Sequence, residues 1–328
     1  MAGLTISIAL CTYNGQAFLQ QQLASLGDQT RRPDEVVASD DGSGDDTLKI
    51  LESFARSAPF SVQILQNPTR LGPAQNFGRA IAACEGDIIA LCDQDDIWKP
   101  NKLAVAESAF LQDPDLAFVF SDADVCDADG MPLGYGLWSS VGFVGRTRRQ
   151  FEAGHGLDVL LRQHAVTGAT LCFASKFRDL ILPIDKNWMH DGWIALLLSM
   201  VGRGRAIDQR LIEYRQHPSQ SIGAPARRSL YQQYLNAKQM DRLVFAEQAE
   251  QFEAALQRWR SRGVPLMPAS ADIPGYEIRF GQKIRHCRNR SAIRTRHASR
   301  LSTVAEFLSL RYSRFSFGWK SFAQDLFL

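Results

Sequence analysis

No apolar run in this sequence approaches about 18 residues, the length a bilayer-crossing helix needs, so no membrane span is expected. No basic region precedes the first apolar run, so no signal peptide is expected, and the location expected is cytoplasmic. The six cysteines form no CxxC pair and no zinc spacing. Cys11, Cys92 and Cys172 lie in apolar runs and read as buried free thiols of a reducing compartment. No GxGxxG follows the first strand signal and no P-loop occurs, which argues against a dinucleotide oxidoreductase and an NTPase. Charge of one sign is not in excess either: the net value is +2 over 328 residues, so global charge gives no case for nucleic acid. A calcium loop starting at Asp41 fails because its sixth position is Asp46, where the sharp turn needs glycine. Repeats and low-complexity tracts are missing as well. What is left is an ordinary globular composition, 45% hydrophobic and 22% charged, with enough chain for one large domain or two.

The first 122 residues alternate strand and helix signals. Strands are expected at 6–10, 35–39, 62–65, 87–91 and 116–120. Helices are expected at 17–26, 45–57, 73–84 and 99–111, the second with Asp45 as N-cap. Alternation of this kind implies parallel crossovers and a doubly wound α/β sheet, whose ligands bind beyond the carboxyl ends of the strands. Three polar clusters follow strands: Cys11-Thr12-Tyr13-Asn14, Asp40-Asp41-Gly42-Ser43 and Asp93-Gln94-Asp95-Asp96. The acids of the last cluster repel one another and cannot cheaply be buried as anions. A divalent cation would remove that cost, and hard oxygen ligands suit Mg²⁺ or Mn²⁺. A solvated acidic loop is the bland alternative. The middle of the chain is irregular, with a Gly-rich loop around 134–145 and a helix expected at Gly192–Met200. A strong helical stretch runs from Arg228 to Arg262. From Arg279 to Arg300 there are eight Lys/Arg and no Asp or Glu, and then aromatics from Phe307 to Phe327.

Four motifs in order carry a resemblance: Cys11-Thr12-Tyr13-Asn14-Gly15, Asp40-Asp41-Gly42-Ser43, Asn67-Pro68-Thr69-Arg70-Leu71-Gly72 and Asp93-Gln94-Asp95-Asp96-Ile97-Trp98-Lys99-Pro100. Over about its first 220 residues the chain resembles family 2 glycosyltransferases of the GT-A fold. His190-Asp191-Gly192-Trp193, Tyr214-Arg215-Gln216-His217 and the tail Tyr312–Phe315 with Gly318-Trp319-Lys320 are more narrowly similar to bacterial rhamnosyltransferases of surface-polysaccharide assembly. The resemblance implies a GT-A, mainly parallel sheet over 1–225, divided into a nucleotide-sugar half (1–122) and an acceptor half (123–225). A helical, basic extension follows over 226–328.

The resemblance also implies roles. Thr12, Tyr13, Asn14, Asp41, Arg70, Asn76 and Asp93 would hold the nucleotide-sugar donor. A carboxylate at Asp41 can accept the imide N–H of uracil or thymine, the alternative being a turn with a helix cap around Gly42. Asp93 is placed near the ribose or the metal, and Asp95 on the metal. Asp96 is read as capping the following helix. His217 completes the metal site or donates to a phosphate; otherwise it is a surface-loop histidine. Arg70 or Arg215 would neutralise phosphate. Asp191 is the family's general base, with an ordinary helix N-cap as the alternative. Where relatives carry Glu-Asp, this chain has His190-Asp191. Trp138, Trp188 and Trp193 stack on sugar rings or pack in the core. The implied reaction is an inverting, metal-dependent transfer from a nucleotide-sugar such as dTDP-L-rhamnose to a saccharide or lipid-linked glycan. The basic run then reads as an anionic-membrane contact at the inner face of the cell membrane, or the aromatics pack back on the catalytic part. Two rivals remain: a nucleotidyltransferase, against which the first-strand loop Cys11–Gly15 has only one Gly and no Lys or Arg, and a nucleotide-sugar-binding protein without turnover.

Overall fold

The structure, a computed structural model, describes residues 3–218, 220, 223–224, 242–294 and 300–327. The expected boundary at 225/226 and the start of the helical stretch at Arg228 lie outside the described residues.

A nine-stranded sheet forms the centre, in the order β3-β2-β1-β4-β8-β6-β9-β5, with β7 paired to β6. The strands are β1 (Ile6–Thr12), β2 (Glu35–Asp40), β3 (Ser61–Gln66), β4 (Ile88–Asp93), β5 (Ile97–Trp98), β6 (Leu116–Cys126), β7 (Pro132–Gly136), β8 (Leu171–Ala174) and β9 (Arg203–Arg215). β1 is buried along its whole length, as a central parallel strand covered on both faces must be. Its neighbours β2 and β4 run parallel to it, as does β3 to β2. The helices α1 (Leu19–Gly27), α2 (Thr47–Ser57), α3 (Pro73–Ala83) and α4 (Lys102–Gln112) follow the strands in the expected alternation. α3 starts on Pro73, which suits a first-turn position, and buries Asn76, Phe77, Ala80 and Ile81 along one face.

The sheet departs from a simple doubly wound order at its fifth strand. β8 slips between β4 and β6 and runs antiparallel to both. β6 is eleven residues long and pairs in parallel with the thirteen-residue β9 through several register shifts. The Gly-rich middle supplies α5 (Leu137–Ser140), α6 (Gly145–Glu152) and α7 (Gly156–Arg162), and α8 (Arg178–Ile181) follows β8. Here Trp138, Phe120, Phe143 and Phe151 form a cluster of edge-on rings, with centroids 5.1–5.8 Å apart. α9 (His190–Val201) is buried almost all round.

The described C-terminal part is helical: α10 (Arg242–Arg258), α11 (Ile273–Ile293), α12 (Arg300–Leu308), α13 (Arg311–Phe315) and α14 (Trp319–Phe327). It is joined to the sheet domain through Trp188, whose indole N–H donates to the Gln251 carbonyl (2.9 Å) and whose ring meets Phe252 edge-on. The expected free basic run is corrected here. Acids distant in sequence answer several of its charges: Arg290 and Arg294 pair with Asp325, and Arg288 with Glu253. Lys283 is buried and donates to the Phe315 carbonyl. The aromatics divide. Tyr312 and Phe315 are buried and Phe307 stacks on Phe322 at 4.2 Å, while Phe317 and Trp319 stay exposed. Among the described residues no helix is long and apolar enough to cross a membrane. All six cysteines are buried and free.

Candidate active site

A cavity of about 490 Å³ opens at the carboxyl ends of β1, β2 and β4. Thr12, Tyr13, Asp41, Arg70, Asn76, Asp93, Asp95, Arg215 and Asp191 all line it. Residues separated by up to two hundred positions in the chain thus share one chamber.

The floor is tied together by polar side chains. Thr12 Oγ1 donates to Asp40 (2.8 Å), and Tyr13 exchanges two hydrogen bonds between its backbone and the Gln94 amide, at 2.8 and 3.0 Å. Asp41 accepts from Asn67 Nδ2 and from the backbone amides of Leu71 and Gly72, so its carboxylate fixes the 67–72 loop and keeps only part of its accepting capacity for a ligand. Asn76 bridges Asn67 and the Ser39 carbonyl. Arg70 lies over the Tyr13 ring, 4.0 Å from its centroid. Asn14 is exposed and not among the residues lining the cavity. Its side-chain oxygen accepts from Gly44 N–H and staples the β1 loop to the β2 loop, with φ of 48°.

The acidic cluster is split by geometry. Asp93 and Asp95 face the cavity. Burial, then Asp95 and Asp191, push Asp93 up to about 7, with Lys102 opposing. Asp95 Oδ2 lies 2.8 Å from His217 Nε2, and the buried His217 ring packs on Phe18. Asp96 points away. It is buried, accepts from the Arg215 backbone amide (3.1 Å) and does not cap α4, contrary to expectation. Arg215 does not present its charge to the cavity as a free phosphate clamp. Its guanidinium donates to the carbonyls of Asp95 and Ala128 and to Gln21, which locks the acidic loop from beneath. Among the described residues no three His, Cys, Asp or Glu side chains are preassembled as a metal cage. Asp95 and His217 with Asp93 alongside nevertheless offer oxygen and imidazole donors and leave positions for ligand oxygens, which fits a small hard cation.

Asp191 sits in the first turn of α9 rather than at its N-cap, which is Met189. Its carboxylate accepts from Gly192 N–H (2.7 Å) and from Gly168 N–H (3.1 Å), and lies 3.2 Å from His164 Nε2. Burial works against its ionisation, but His164 and these donors hold it well below the usual carboxylate range. His190 stacks on Phe77 at 3.9 Å and is buried, and burial pushes its imidazole down. Gly168 is required where it stands, since a Cβ there would meet His190 Nε2 at 2.4 Å.

Trp138, Trp188 and Trp193 pack rather than line the cavity. Trp193 is buried and donates to the Ile181 carbonyl, and Trp138 belongs to the aromatic cluster. Sequence reasoning missed Gln94, Lys102, His164 and Gly168. Lys102 is buried, with Nζ 2.7 Å from the Ala169 carbonyl and above the Trp98 ring. It stands only two residues beyond the fourth motif and was within reach of the sequence. His164 and Gly168 belong to no motif.

Comparison with known proteins now adds three findings. The sequence pattern of the family described as Glycosyl transferase family 2 matches residues 7–163. Among curated relatives, an uncharacterized glycosyltransferase of Nostoc is 26% identical over 227 residues, covering 65% of both chains. The dTDP-rhamnosyl transferase RfbG of Shigella flexneri is 38% identical over 98 residues, covering 29% of this chain and 34% of that protein. The chain thus spans from about a third to just under two thirds of these relatives' lengths. Among solved structures, S. aureus TarS 1–349 in complex with UDP-GlcNAc superposes with a TM-score of 0.54 at 17% identity, covering 98% of this chain and 90% of that one. The mannosyltransferase PcManGT of Pyrobaculum calidifontis, in complex with GDP-Man and Mn²⁺, gives 0.52 at 17% identity, with 94% and 76% covered. At such identity the likeness is one of fold, and the fold is that of GT-A glycosyltransferases.

Proposed function

For a chain whose residues 7–163 form a family 2 glycosyltransferase domain, we propose an inverting, divalent-metal-dependent transfer of one sugar from a nucleotide-sugar to a saccharide acceptor in polysaccharide biosynthesis. The observation that carries this reading is the convergence of Asp93, Asp95 and Asp191 on a single cavity, with His217 buried against Asp95 behind it. Asp95, His217 and Asp93 would hold Mg²⁺ or Mn²⁺. Such an ion, when bound, offsets the charge that grows on a departing nucleoside diphosphate. Thr12, Tyr13 and Asp41 would seat the base, with Arg70 over Tyr13 closing that side. Asp191, ionised and fixed by backbone amides, takes the proton of the acceptor hydroxyl. The likeness to RfbG favours dTDP-L-rhamnose as donor.

A lipid-linked acceptor and a place at the inner face of the cell membrane belong to the same proposal. They are supported by apolar side chains left exposed in the last helices, Leu301, Leu308, Leu310, Phe317 and Trp319, in a stretch that also carries Arg314 and Lys320. The test is a panel of nucleotide-sugars with Mn²⁺, read by thermal protection and then by release of nucleoside diphosphate. One donor should raise the melting temperature above the others, since a bound ligand stabilises by mass action. It should also be turned over. Protection without any turnover would favour the binding protein, and protection by nucleoside triphosphates alone the nucleotidyltransferase.

A further inference from the structure

We propose that Asp191 does not act alone: His164 positions its carboxylate and is the group on which the acceptor's proton comes to rest. The inference rests on the reading of Asp191 as general base.

Three donors meet the Asp191 carboxylate, and two of them, the amides of Gly192 and Gly168, are backbone groups that cannot titrate. The third is His164 Nε2 at 3.2 Å, which donates while the ring is charged and is free to accept once the ring's only proton is on Nδ1. The imidazole is clamped. A backbone hydrogen bond at Val166 holds it, and it packs so closely over Gly192 that a Cβ there would meet Nδ1 at 3.1 Å. The two side chains differ in access. That of Asp191 is 11% exposed and that of His164 49%, and both line the cavity. The ring is therefore a bridge from an enclosed carboxylate to the open part of the chamber.

The electrostatics point the same way. A carboxylate held well below its ordinary range is a weak base by itself, and general-base catalysis works best with a group that titrates near the working pH. His164 is moved in the opposite direction, upward, with the Asp191 charge as the main cause. The titratable groups that bear on the ring are Asp191 and His190, both from the start of α9, while Asp93 bears on Asp191 from the end of β4. The pair thus takes up one proton above the ordinary histidine value, and that proton sits on the imidazole. In the transfer, the acceptor O–H bond breaks as its oxygen bonds to the anomeric carbon. The bond from that carbon to the donor's phosphate oxygen breaks, and its electron pair leaves with the nucleoside diphosphate. The proton passes to Asp191 and on to Nε2 of neutral His164, and the exposed imidazolium returns it to water.

The experiment uses the full chain, Mn²⁺ and the nucleotide-sugar that protects best, with water as acceptor and nucleoside diphosphate release as readout across pH 5–9, a range that spans the ordinary histidine value of about 6.5. Wild-type kcat should fall on the acid side with a one-proton slope, centred above the ordinary histidine value. His164→Gln keeps a donor at the Nε2 position but cannot take the proton. It should lose about tenfold or more in kcat together with the acid limb, while calorimetric binding of the nucleoside diphosphate stays unchanged. His164→Ala should be slower still and partly rescued by added imidazole. A His164→Gln enzyme with the wild-type rate and acid limb overturns the inference, as does a His164→Ala enzyme that is slow but keeps the limb and ignores imidazole. Asp191→Asn separates the two levels. Near-normal turnover there removes the base reading and this inference with it. An inactive Asp191→Asn enzyme beside an unaffected His164→Gln enzyme removes the inference alone.

Discussion

Asp95 and Asp191 carry the same functional group into one cavity and are set to different tasks by their neighbours. Asp95 faces an imidazole and another acid, an arrangement that gathers negative charge where the proposed cation would sit. Asp191 faces backbone amides and His164, an arrangement that holds its own charge steady. Asp95→Ala is accordingly expected to abolish Mn²⁺-dependent binding of a nucleoside diphosphate; calorimetry should give heat for wild type and none for the variant. Asp191→Asn should leave that heat intact and lower turnover by roughly 10²–10⁴, measured as nucleoside diphosphate release. Asp95 was legible in the sequence because it follows a strand end, the ligand side of a parallel sheet, whereas Asp191 was reached only through the family resemblance. Their partners were not legible. His164 and Gly168 reach Asp191 from a segment with no strand signal of its own, and nothing local in Arg162-Gln163-His164 says which way the ring points. The misreadings at Arg215 and Asp96 share one cause: sequence shows charge, and burial decides whether it serves a ligand or the fold.

At the scale of elements, the alternating first half was legible because each helix and strand there has its own periodicity. The expected and observed spans of the strands at 35–40 and 61–66 differ by one residue at the ends. β8 and β9 escaped for different reasons. β8 is four residues long and apolar, which any buried segment can be. Much of β9 is half-exposed or exposed and polar, so its pairing with β6 was decided by tertiary contact rather than by pattern. The same applies to the C-terminal helices, held by two buried acids. Glu306 receives His286, Asn289 and Arg311, and Asp325 receives Arg290, Arg294 and Tyr312. Burial works to raise Glu306, but Arg311, His286 and Asn289 take it down to about 2. Asp325 is likewise lowered against burial by Arg290. Acids depressed in the folded state contribute stability that is present above their unfolded values, about 4, and is lost as pH falls through the folded ones. His286, lowered by burial, acts in the same direction, because below its unfolded value the open chain takes up a proton first. Acidification should therefore loosen α11–α14, with loss starting below about pH 6.5 and growing toward pH 2; hydrogen exchange at the α12 amides is the measurement. Glu306→Ala strands His286 and Arg311 and should cost about 3–5 kcal/mol in urea unfolding.

Taken whole, the chain is electrically lopsided. Residues 242–327 hold fifteen Lys/Arg against seven Asp/Glu, so the remainder is acidic although the total is +2. Internal pairing uses up part of that positive charge, which leaves the exposed aromatics as the sharper test of a membrane contact. Phe317→Ser with Trp319→Ser should weaken sedimentation with anionic vesicles at low salt and leave nucleoside diphosphate binding unchanged. Wild type should also release as salt rises, since screening shortens to about 3 Å at 1 M. Sedimentation equal in both proteins would remove these rings from the contact. The long span from Asp95 to His217, 122 residues, has a meaning in time as well. A ribosome adding about 5–20 residues per second takes roughly 6–24 s to cover it. Over most of that interval the emerging chain has its first four strands and its crowded aspartates, but Asp191 comes only 26 residues before the histidine, and the arginine lock just ahead of it. On the proposed reading the site is therefore completed late, when β9 docks on β6, and a chain interrupted earlier is left with an acidic cleft that has nothing to close it.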